Sequence, residues 1–220
     1  ARRDDWAAAF RPRFTVRTDL PRHQFLLTGT ADVRRYAAIE GENSEQFELL
    51  GKGTIDLAQR TEVIADAGFR RGIEQRGTAG DQFLTDTPVS FDRTFGGLLV
   101  RRDGGFLELT AEGRIAETRY RDTRINGLPV DLSARDSTVM RARARASAPS
   151  SHYSRIFVEA SINKVNYKQS VPFQRDSDGF GVLAGMLLRL TNLVDLEAGV
   201  AYIRQNFDNP AIKDVGAVNF

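Results

Sequence analysis

The sequence predicts an all-β protein, an antiparallel up-and-down β-barrel whose strands cross a membrane. Three observations lead to this fold class. Apolar and polar side chains alternate over segments of similar length, and the turns between the segments are alternately short and long. No segment combines helical periodicity with caps, and no apolar run approaches the ~18 residues of a membrane-crossing helix. Bacterial membrane barrels join strands of about ten alternating residues by short turns at one rim and long loops at the other.

The turns place the predicted strands. Tight turns fall at Asp19–His23, Gln59–Thr61, Arg102–Gly105, Pro149–His152 and Thr191–Val194. Long polar joints lie between them, at about residues 37–46, 72–92, 121–136, 166–177 and 208–213. Asp103-Gly104-Gly105 has the composition of a hairpin turn. The pattern predicts about ten complete strands, with a further strand beginning at Val215–Phe220.

Each predicted strand has one apolar and one polar face. In the first strand, Phe10–Arg17, the aromatic rings share one face and the arginines share the other. The later strands alternate in the same way, at about residues 25–36, 47–57, 63–70, 93–101, 107–115, 140–147, 155–163, 178–189 and 195–206. The repeating unit is therefore a hairpin of two long strands, and the 220 residues are predicted to form a single barrel domain.

The composition narrows the class of protein. The chain has 31 basic and 29 acidic residues and a net charge of +2, a near balance that argues against a nucleic-acid partner. Its mean hydropathy of −0.36 would suit a soluble protein. A barrel wall is apolar on one face only, however, so this average is also compatible with a membrane. The chain has no cysteine, which is compatible with an oxidising compartment.

The apolar face is predicted to contact lipid and the polar face to line a lumen. The apolar face is rich in Gly, Ala and Leu, which suit fluid lipid better than a packed core, and opposite charges alternate along the polar face. Aromatic residues near strand ends suggest interfacial girdles. The loop-side girdle is predicted to contain Tyr36, Phe47, Phe69, Phe95, Tyr120, Tyr167, Phe180, Tyr202 and Phe207, and the turn-side girdle Phe25, Phe106 and Tyr153.

The candidate functional residues are the charged side chains of the predicted polar face. The lumen-lining set is Arg11, Arg13, Arg17, Asp32, Arg34, Glu48, Lys52, Asp56, Asp66, Arg70, Glu108, Glu112, Arg114, Arg141, Arg143, Arg145, Arg155 and Glu159.

Two interpretations remain open for the row formed by Arg141, Arg143 and Arg145. Guanidinium groups bind carboxylates in a bidentate manner, so the row could form a track for acidic sugars or other anions. Alternatively, the row could pair across strands with Glu108 and Glu112 and stabilise the sheet. The row formed by Arg11, Arg13 and Arg17 has the same two interpretations, with Asp32 as its candidate partner.

The sequence predicts no catalytic or metal site. His23 and His152 lie in predicted tight turns of different hairpins, and a metal site would need further ligands nearby. The segment Asp176–Gly179 resembles the opening of a calcium loop but lacks the later ligands and the closing Glu, which favours a strand-entry turn. No Gly-x-Ser-x-Gly nucleophile motif occurs. We therefore predict a protein that is not an enzyme and has no cofactor.

Several short sequence segments resemble those of a family of β-barrel porins often called "porin 2". The order of the segments along the chain carries more of the resemblance than any one segment. The segments are Phe10–Phe14 (FRPRF), Ala31–Tyr36 (ADVRRY) followed by Glu42-Asn43, Arg175–Gly185 (RDSDGFGVLAG) and Gly199–Asp208 (GVAYIRQNFD). The resemblance covers essentially the whole chain. It implies a barrel of the outer membrane of Gram-negative bacteria, in contact with lipid and lipopolysaccharide. It also implies a role in export of exopolysaccharide or capsule, with polysaccharide and export machinery as partners.

Family members are longer than this chain, and its strand count and start suggest a fragment that is incomplete at both ends. The complete barrel is expected to have about 16–18 strands. Two other functions remain open from the residues alone. One is a general diffusion porin without dedicated partners. The other is a soluble β-sheet module that binds carbohydrate.

Overall fold

The structure is a computed structural model that describes residues 5–18, 20–74, 85–168, 175–191 and 193–219. These residues form fourteen strands and two short 3₁₀ helices. The first seven strands are β1 (Ala7–Phe10), β2 (Arg13–Arg17), β3 (His23–Tyr36), β4 (Ser44–Ala58), β5 (Thr61–Ile73), β6 (Ser90–Asp103) and β7 (Glu108–Tyr120). The others are β8 (Thr123–Ile125), β9 (Leu128–Val130), β10 (Ser137–Ser151), β11 (Ser154–Tyr167), β12 (Ser177–Arg189), β13 (Asp195–Phe207) and β14 (Val215–Asn219). The helices span Glu40–Glu42 and Ser133–Arg135.

Twelve strands form one antiparallel sheet in which sequential strands are neighbours. Both β1 and β2 pair with β3, and β7 pairs with β10 because β8 and β9 form a separate two-stranded sheet. This arrangement confirms the predicted all-β, antiparallel, up-and-down fold. Among the described residues the sheet is open, with β1, β2 and β14 at its edges. The assignment of one domain and the total strand number of a closed barrel stay predictions.

The first strand begins earlier than predicted, at Ala7, and is interrupted around Pro12. The register does not change across the interruption, because Phe10 lies opposite Val33 and Arg13 lies opposite Thr30. Proline has no N–H to donate to a ladder. Its carbonyl still accepts a hydrogen bond from the Ala31 N–H at 3.0 Å. Thus β1 and β2 are two parts of one strand that proline divides.

The small hairpin of β8 and β9 lies within the long joint at residues 121–136 and was not predicted. Its turn residues, Asn126 and Gly127, have φ angles of 52° and 79°. Positive φ at both central residues is the type I′ geometry that favours Asn-Gly. The carboxylate of Asp86, which precedes β6, accepts hydrogen bonds from both turn N–H groups at 2.9 and 2.8 Å. Asp86 therefore fixes this hairpin to the neighbouring long joint.

The same type of hydrogen bond occurs at the long-loop ends of four hairpins. A side-chain oxygen of the residue just before one strand accepts a hydrogen bond from the N–H of the aromatic residue that ends the strand paired with it. The donor–acceptor pairs are Tyr36–Asn43 (2.8 Å), Tyr120–Asp136 (2.6 Å), Tyr167–Asp176 (2.7 Å) and Phe207–Asp214 (3.1 Å). The bond ends the ladder at a fixed residue whatever the length of the loop. In the segment that resembles a calcium loop, Asp176 makes this structural contact.

Replacing Asp136 by alanine is expected to destabilise the protein by about 1–3 kcal/mol, because the Tyr120 N–H would lose its acceptor in a buried position. Asp136 is only 7% exposed. Asp136→Asn keeps an acceptor oxygen and should cost less. The free energy of unfolding in urea, followed by circular dichroism, measures both effects. Asp131→Ala is the control, since exposed Asp131 bonds only locally, to the Ser133 N–H. Equal losses at Asp131 and Asp136 would contradict the assigned role.

In the described part of the chain, the sheet does not enclose an apolar core. Among the described hydrophobic residues only Val89, Leu132 and Phe157 are buried, and the first two belong to long joints. Apolar side chains in the middle of strands are instead exposed, as at Ile162, which is 63% exposed. No helix in the described part of the chain has the length and apolarity needed to cross a membrane.

Candidate pore wall

The register assigns every strand residue to one of two faces, because directly opposed residues point to the same side of a sheet. One side, here called the polar face, carries the odd-numbered residues of β1, β2, β6 and β10–β14 and the even-numbered residues of β3–β5 and β7. All the charged residues predicted to line a lumen lie on this face. That the face surrounds a lumen stays a prediction.

The opposite side, here called the apolar face, has a band of small and aliphatic side chains. At the strand centres these residues include Leu27, Leu49, Ala65, Ala67, Leu98, Val100, Ala111, Gly113, Ala142, Ala144, Val158, Ala160, Val182, Ala184, Ala198 and Val200. Because no described element covers this band, most of its side chains remain exposed.

The apolar band ends abruptly near the long loops, where the same face becomes charged. Ion pairs cluster there, most of them between different strands, and form what is here called the ionic belt. Its pairs are Arg35–Glu45, Arg71–Asp92 (2.6 Å), Arg121–Asp92 (3.0 Å), Arg119–Glu117 (2.9 Å), Lys168–Glu117 (3.1 Å) and Arg204–Asp214 (3.8 Å). The face thus changes from apolar to ionic at similar positions of several strands.

Aromatic residues line the apolar side of this boundary, but fewer than predicted. Phe47 and Phe69 form one pair at 5.6 Å between ring centroids, and Phe180 and Tyr202 form another at 6.0 Å. The register corrects the prediction for the other loop-side residues, which belong to the polar face. They are Tyr36, Phe95, Tyr120, Tyr167 and Phe207. Position near a strand end does not determine the face, because adjacent residues of a strand point to opposite sides.

Ion pairs on the polar face show which arginines have partners. Arg143 contacts Glu112 at 2.8 Å, as the cross-strand interpretation expects. Arg145 contacts Glu197 on β13 at 3.2 Å and Glu159, directly opposite it on β11, at 3.8 Å. Glu108 contacts Arg155 at 2.9 Å and not the arginine row. Exposed pairs of this kind contribute about 0–1 kcal/mol each, so they orient side chains more than they stabilise the fold.

The other arginine row is paired at one end only. Asp32 accepts hydrogen bonds from Arg11 at 3.2 Å and from Arg34 at 2.8 Å, so the predicted partner of this row is present. Within the described ranges, Arg13 and Arg17 have no ion-pair partner. Both are exposed on the polar face.

The predicted lumen-lining set leaves out several charged residues of the polar face. Arg93 and Arg101 on β6, Glu62 on β5 and Glu197 on β13 belong to it. Arg101 and Glu62 lie opposite each other and their charged atoms are 3.7 Å apart. Apolar residues occur on both sides of β6, so alternation does not identify its polar side. Only pairing with β5 and β7 does so.

Phenylalanine rings lie over glycines on the adjacent strand. The directly opposed pairs are Phe14–Gly29, Phe25–Gly53, Phe91–Gly72, Phe95–Gly68 and Phe157–Gly185. A Cβ atom at any of these glycines would meet the ring. The missing side chain therefore lets each ring lie along the wall. On the polar face this arrangement makes rings part of the wall surface.

Charged residues of the long joints form ion pairs and hydrogen bonds with one another outside the sheet. Glu74 and Arg135 form an ion pair, and the Arg135 guanidinium lies 4.0 Å from the ring centroid of Tyr120. Burial is the largest single influence and disfavours the charged form of Arg135, but the hydrogen bonds and charge interactions with Glu74 and Tyr120 together outweigh it and raise the pKa of Arg135. Hydrogen bonds from Ser133 lower the pKa of Asp131. These contacts connect the long joints after β5 and β7.

The two histidines lie at the tight-turn rim, far along the strands from the ionic belt. His23 is the first residue of β3, and its Nδ1 atom is buried with no hydrogen-bond partner in the described ranges. His152 follows β10 and is exposed. In the described part of the chain, no three His, Cys, Asp or Glu side chains converge in a geometry that could hold a metal ion.

Comparison with known proteins agrees with this architecture. No curated protein and no solved structure matches the chain. Residues 1–220 match a family described as "Putative beta-barrel porin 2". Since the match extends over the whole chain, the protein belongs to this family of β-barrel porins.

Proposed function

We propose that the protein is a passive channel of the bacterial outer membrane, with its apolar face against lipid and its polar face lining an aqueous pore. The family description implies a barrel embedded in a membrane. The observation that carries the proposal is the division of the sheet into two chemically different faces, with the ionic belt at one edge of the apolar face.

The height of the apolar band supports a membrane location. On β5 the apolar side chains run from Val63 to Phe69, between the boundaries set by Thr61 at the tight turn and Arg71 of the ionic belt. Ten residue steps of about 3.3 Å cover about 33 Å along the strand. At a tilt of about 40° this corresponds to about 25 Å along the membrane normal, the height of the apolar band of outer-membrane barrels. The ionic belt would then lie at the headgroups, where Phe47, Phe69, Phe180 and Tyr202 would form part of an aromatic girdle.

The free-energy cost of the opposite orientation, with the polar face toward lipid, also favours this one. Turning the polar face outward would expose Arg141, Arg143 and Arg145 to lipid, at about 2–4 kcal/mol for each arginine near the midplane. In a soluble module the apolar band would need a second layer to cover it. None of the described elements provides that layer.

Channel activity is tested by inserting the full-length protein into planar bilayers. Steady ion current is expected, because a charged, hydrated wall lowers the barrier for hydrated solutes. An inactive outer-membrane barrel of similar size serves as the control for leakage caused by detergent. A protein that remains monodisperse in buffer without detergent and carries no current would contradict the channel and favour the soluble carbohydrate-binding module.

The physiological cargo that we propose is exopolysaccharide or capsule, exported with the help of partner proteins of the export machinery. The resemblance of the sequence to exopolysaccharide-associated porins supports this more specific function. The transport is passive and needs no covalent step, so we propose no enzymatic activity. A general diffusion porin is the alternative that the family description favours. Deletion of the gene with normal capsule and slime would reject export and leave the diffusion porin.

A further inference from the structure

Arginines lie directly opposite one another at two places on the polar face. Arg70 on β5 faces Arg93 on β6, and Arg114 on β7 faces Arg141 on β10. Like charges at directly opposed positions destabilise an antiparallel ladder. Natural sequences depart from such local rules mainly where a site requires it. Two departures on neighbouring strands therefore suggest a function other than stabilising the sheet.

The carboxylates nearby do not balance these arginines. Arg114 forms ion pairs with Asp66 and Glu112. Arg70 has only a distant contact with Glu48, at 3.9 Å. Arg93 and Arg141 have no ion-pair or hydrogen-bond partner in the described ranges and are exposed. Two guanidinium groups are thus free to bind an anion from solution.

All these arginines line one depression of about 520 Å³, and among the described residues that line it only Glu48 is acidic. The apolar residues Phe95, Ala116 and Val139 also line it. By register they form a row between the two arginine pairs. The depression therefore has cations on two sides and an apolar floor between them.

Phe95 gives this floor a flat surface. Its ring lies over Gly68 of the adjacent strand, where an added Cβ would come within 2.5 Å of the ring. Phe95 also lines the depression. An aromatic ring lying along a wall can contact the C–H surface of a sugar, while guanidinium groups bind carboxylate or phosphate in a bidentate manner.

We propose that this depression binds an acidic saccharide, with Arg93 and Arg141 holding its carboxylate or phosphate groups and Phe95 contacting a sugar ring. The inference rests on the proposed function, since it places the site on the wall of the pore. It assigns the anion-binding role to a cluster that spans four strands. The row formed by Arg141, Arg143 and Arg145 contributes only its first member.

Calorimetry on the full-length protein, folded in detergent, tests the site without requiring ion current. The probes are a hexamer of galacturonic acid, the neutral sugar maltohexaose and inorganic phosphate. The wild-type protein is expected to bind the acidic hexamer and not maltohexaose. The double variant Arg93→Gln/Arg141→Gln should bind the acidic hexamer at least about tenfold more weakly, since it removes the charge-assisted hydrogen bonds to the anionic groups.

The double variant Arg13→Gln/Arg17→Gln is the matched control. It removes two exposed arginines that also lack ion-pair partners in the described ranges, from the same face but outside the depression. Its affinity for the acidic hexamer should fall by less than about twofold, because distant exposed charges are screened. An equal loss in both double variants would show general attraction to a basic wall and would overturn the site.

Phe95→Leu separates a saccharide site from a simple oxyanion site. The variant should weaken binding of the acidic hexamer and leave any binding of phosphate unchanged. If phosphate binds as tightly as the hexamer and Phe95→Leu affects neither, the saccharide assignment is wrong. If the Arg93/Arg141 double variant does not fold, Arg141→Lys replaces it, since lysine keeps the charge but cannot bind in a bidentate manner. Unchanged hexamer binding in Arg141→Lys would overturn the role of Arg141.

The two proposals fail in different ways. Absence of ion current from the wild-type protein would reject the channel, whatever calorimetry shows. Ion current together with no calorimetric binding of the acidic hexamer would keep the channel and reject the site.

Discussion

Leu98→Arg is expected to prevent stable folding in a membrane, whereas Leu99→Arg on the same strand should be tolerated. The two residues are adjacent on β6 and belong to opposite faces. Leu98 lies opposite Ala65 and Gly113 on the apolar face and is 51% exposed. It lies between Asp92 of the ionic belt and Arg102 at the tight-turn rim, and hence near the middle of the band. An arginine facing lipid there costs about 2–4 kcal/mol.

Leu99 provides the matched control because only the direction of the side chain differs. It lies opposite Glu112 on the polar face, so an arginine there would be next to a carboxylate in an aqueous environment. Refolding into lipid vesicles, followed by urea titration, measures the stability of both variants. Loss of stability in Leu99→Arg with normal folding of Leu98→Arg would reverse the assignment of the faces and reject the membrane orientation.

Most of the strand positions could be predicted because two signals agree along the chain. Alternation defines the strands, and residues such as Gly104-Gly105 mark the tight turns, so the predicted boundaries of β6 and β7 differ from the observed ones by only a few residues. The hairpin of β8 and β9 was missed although Asn126-Gly127 carries the usual type I′ signal. Its two strands have three residues each, too few to show an alternation of apolar and polar side chains.

The candidate site could be predicted only in part because pairing depends on register. Alternation along single strands was enough to place Arg114 and Arg141 on the polar face. It could not show that the two residues are opposed, nor that Arg93 belongs with them, since these facts require the alignment of different strands. The aromatic prediction failed for the same reason at Phe95, where nearness to a strand end did not determine the face.

Gly185→Ala is expected to destabilise the fold by about 1–3 kcal/mol, because the added Cβ would overpack the wall. That atom would lie 2.7 Å from Cζ of Phe157 and 2.9 Å from Cα of Gly199, and it would also meet the Ala198 carbonyl oxygen. Backbone atoms on β13 cannot move aside without disturbing the ladder. Phe157 is held from its other side as well, since the Arg145 guanidinium lies 3.5 Å from its ring centroid, and it is only 3% exposed.

Gly113→Ala should change stability in the opposite direction. An added Cβ at Gly113 would meet no atom within 4 Å, and glycine inside a strand costs roughly 0.5–1 kcal/mol relative to alanine. Urea unfolding of both variants distinguishes crowding at one position from a general effect of alanine. Phe157→Leu in the Gly185→Ala background should recover part of the loss, because the smaller side chain relieves one of the contacts. If the two alanine variants change stability equally, or if Phe157→Leu adds its full cost, Gly185 is not needed to seat the ring.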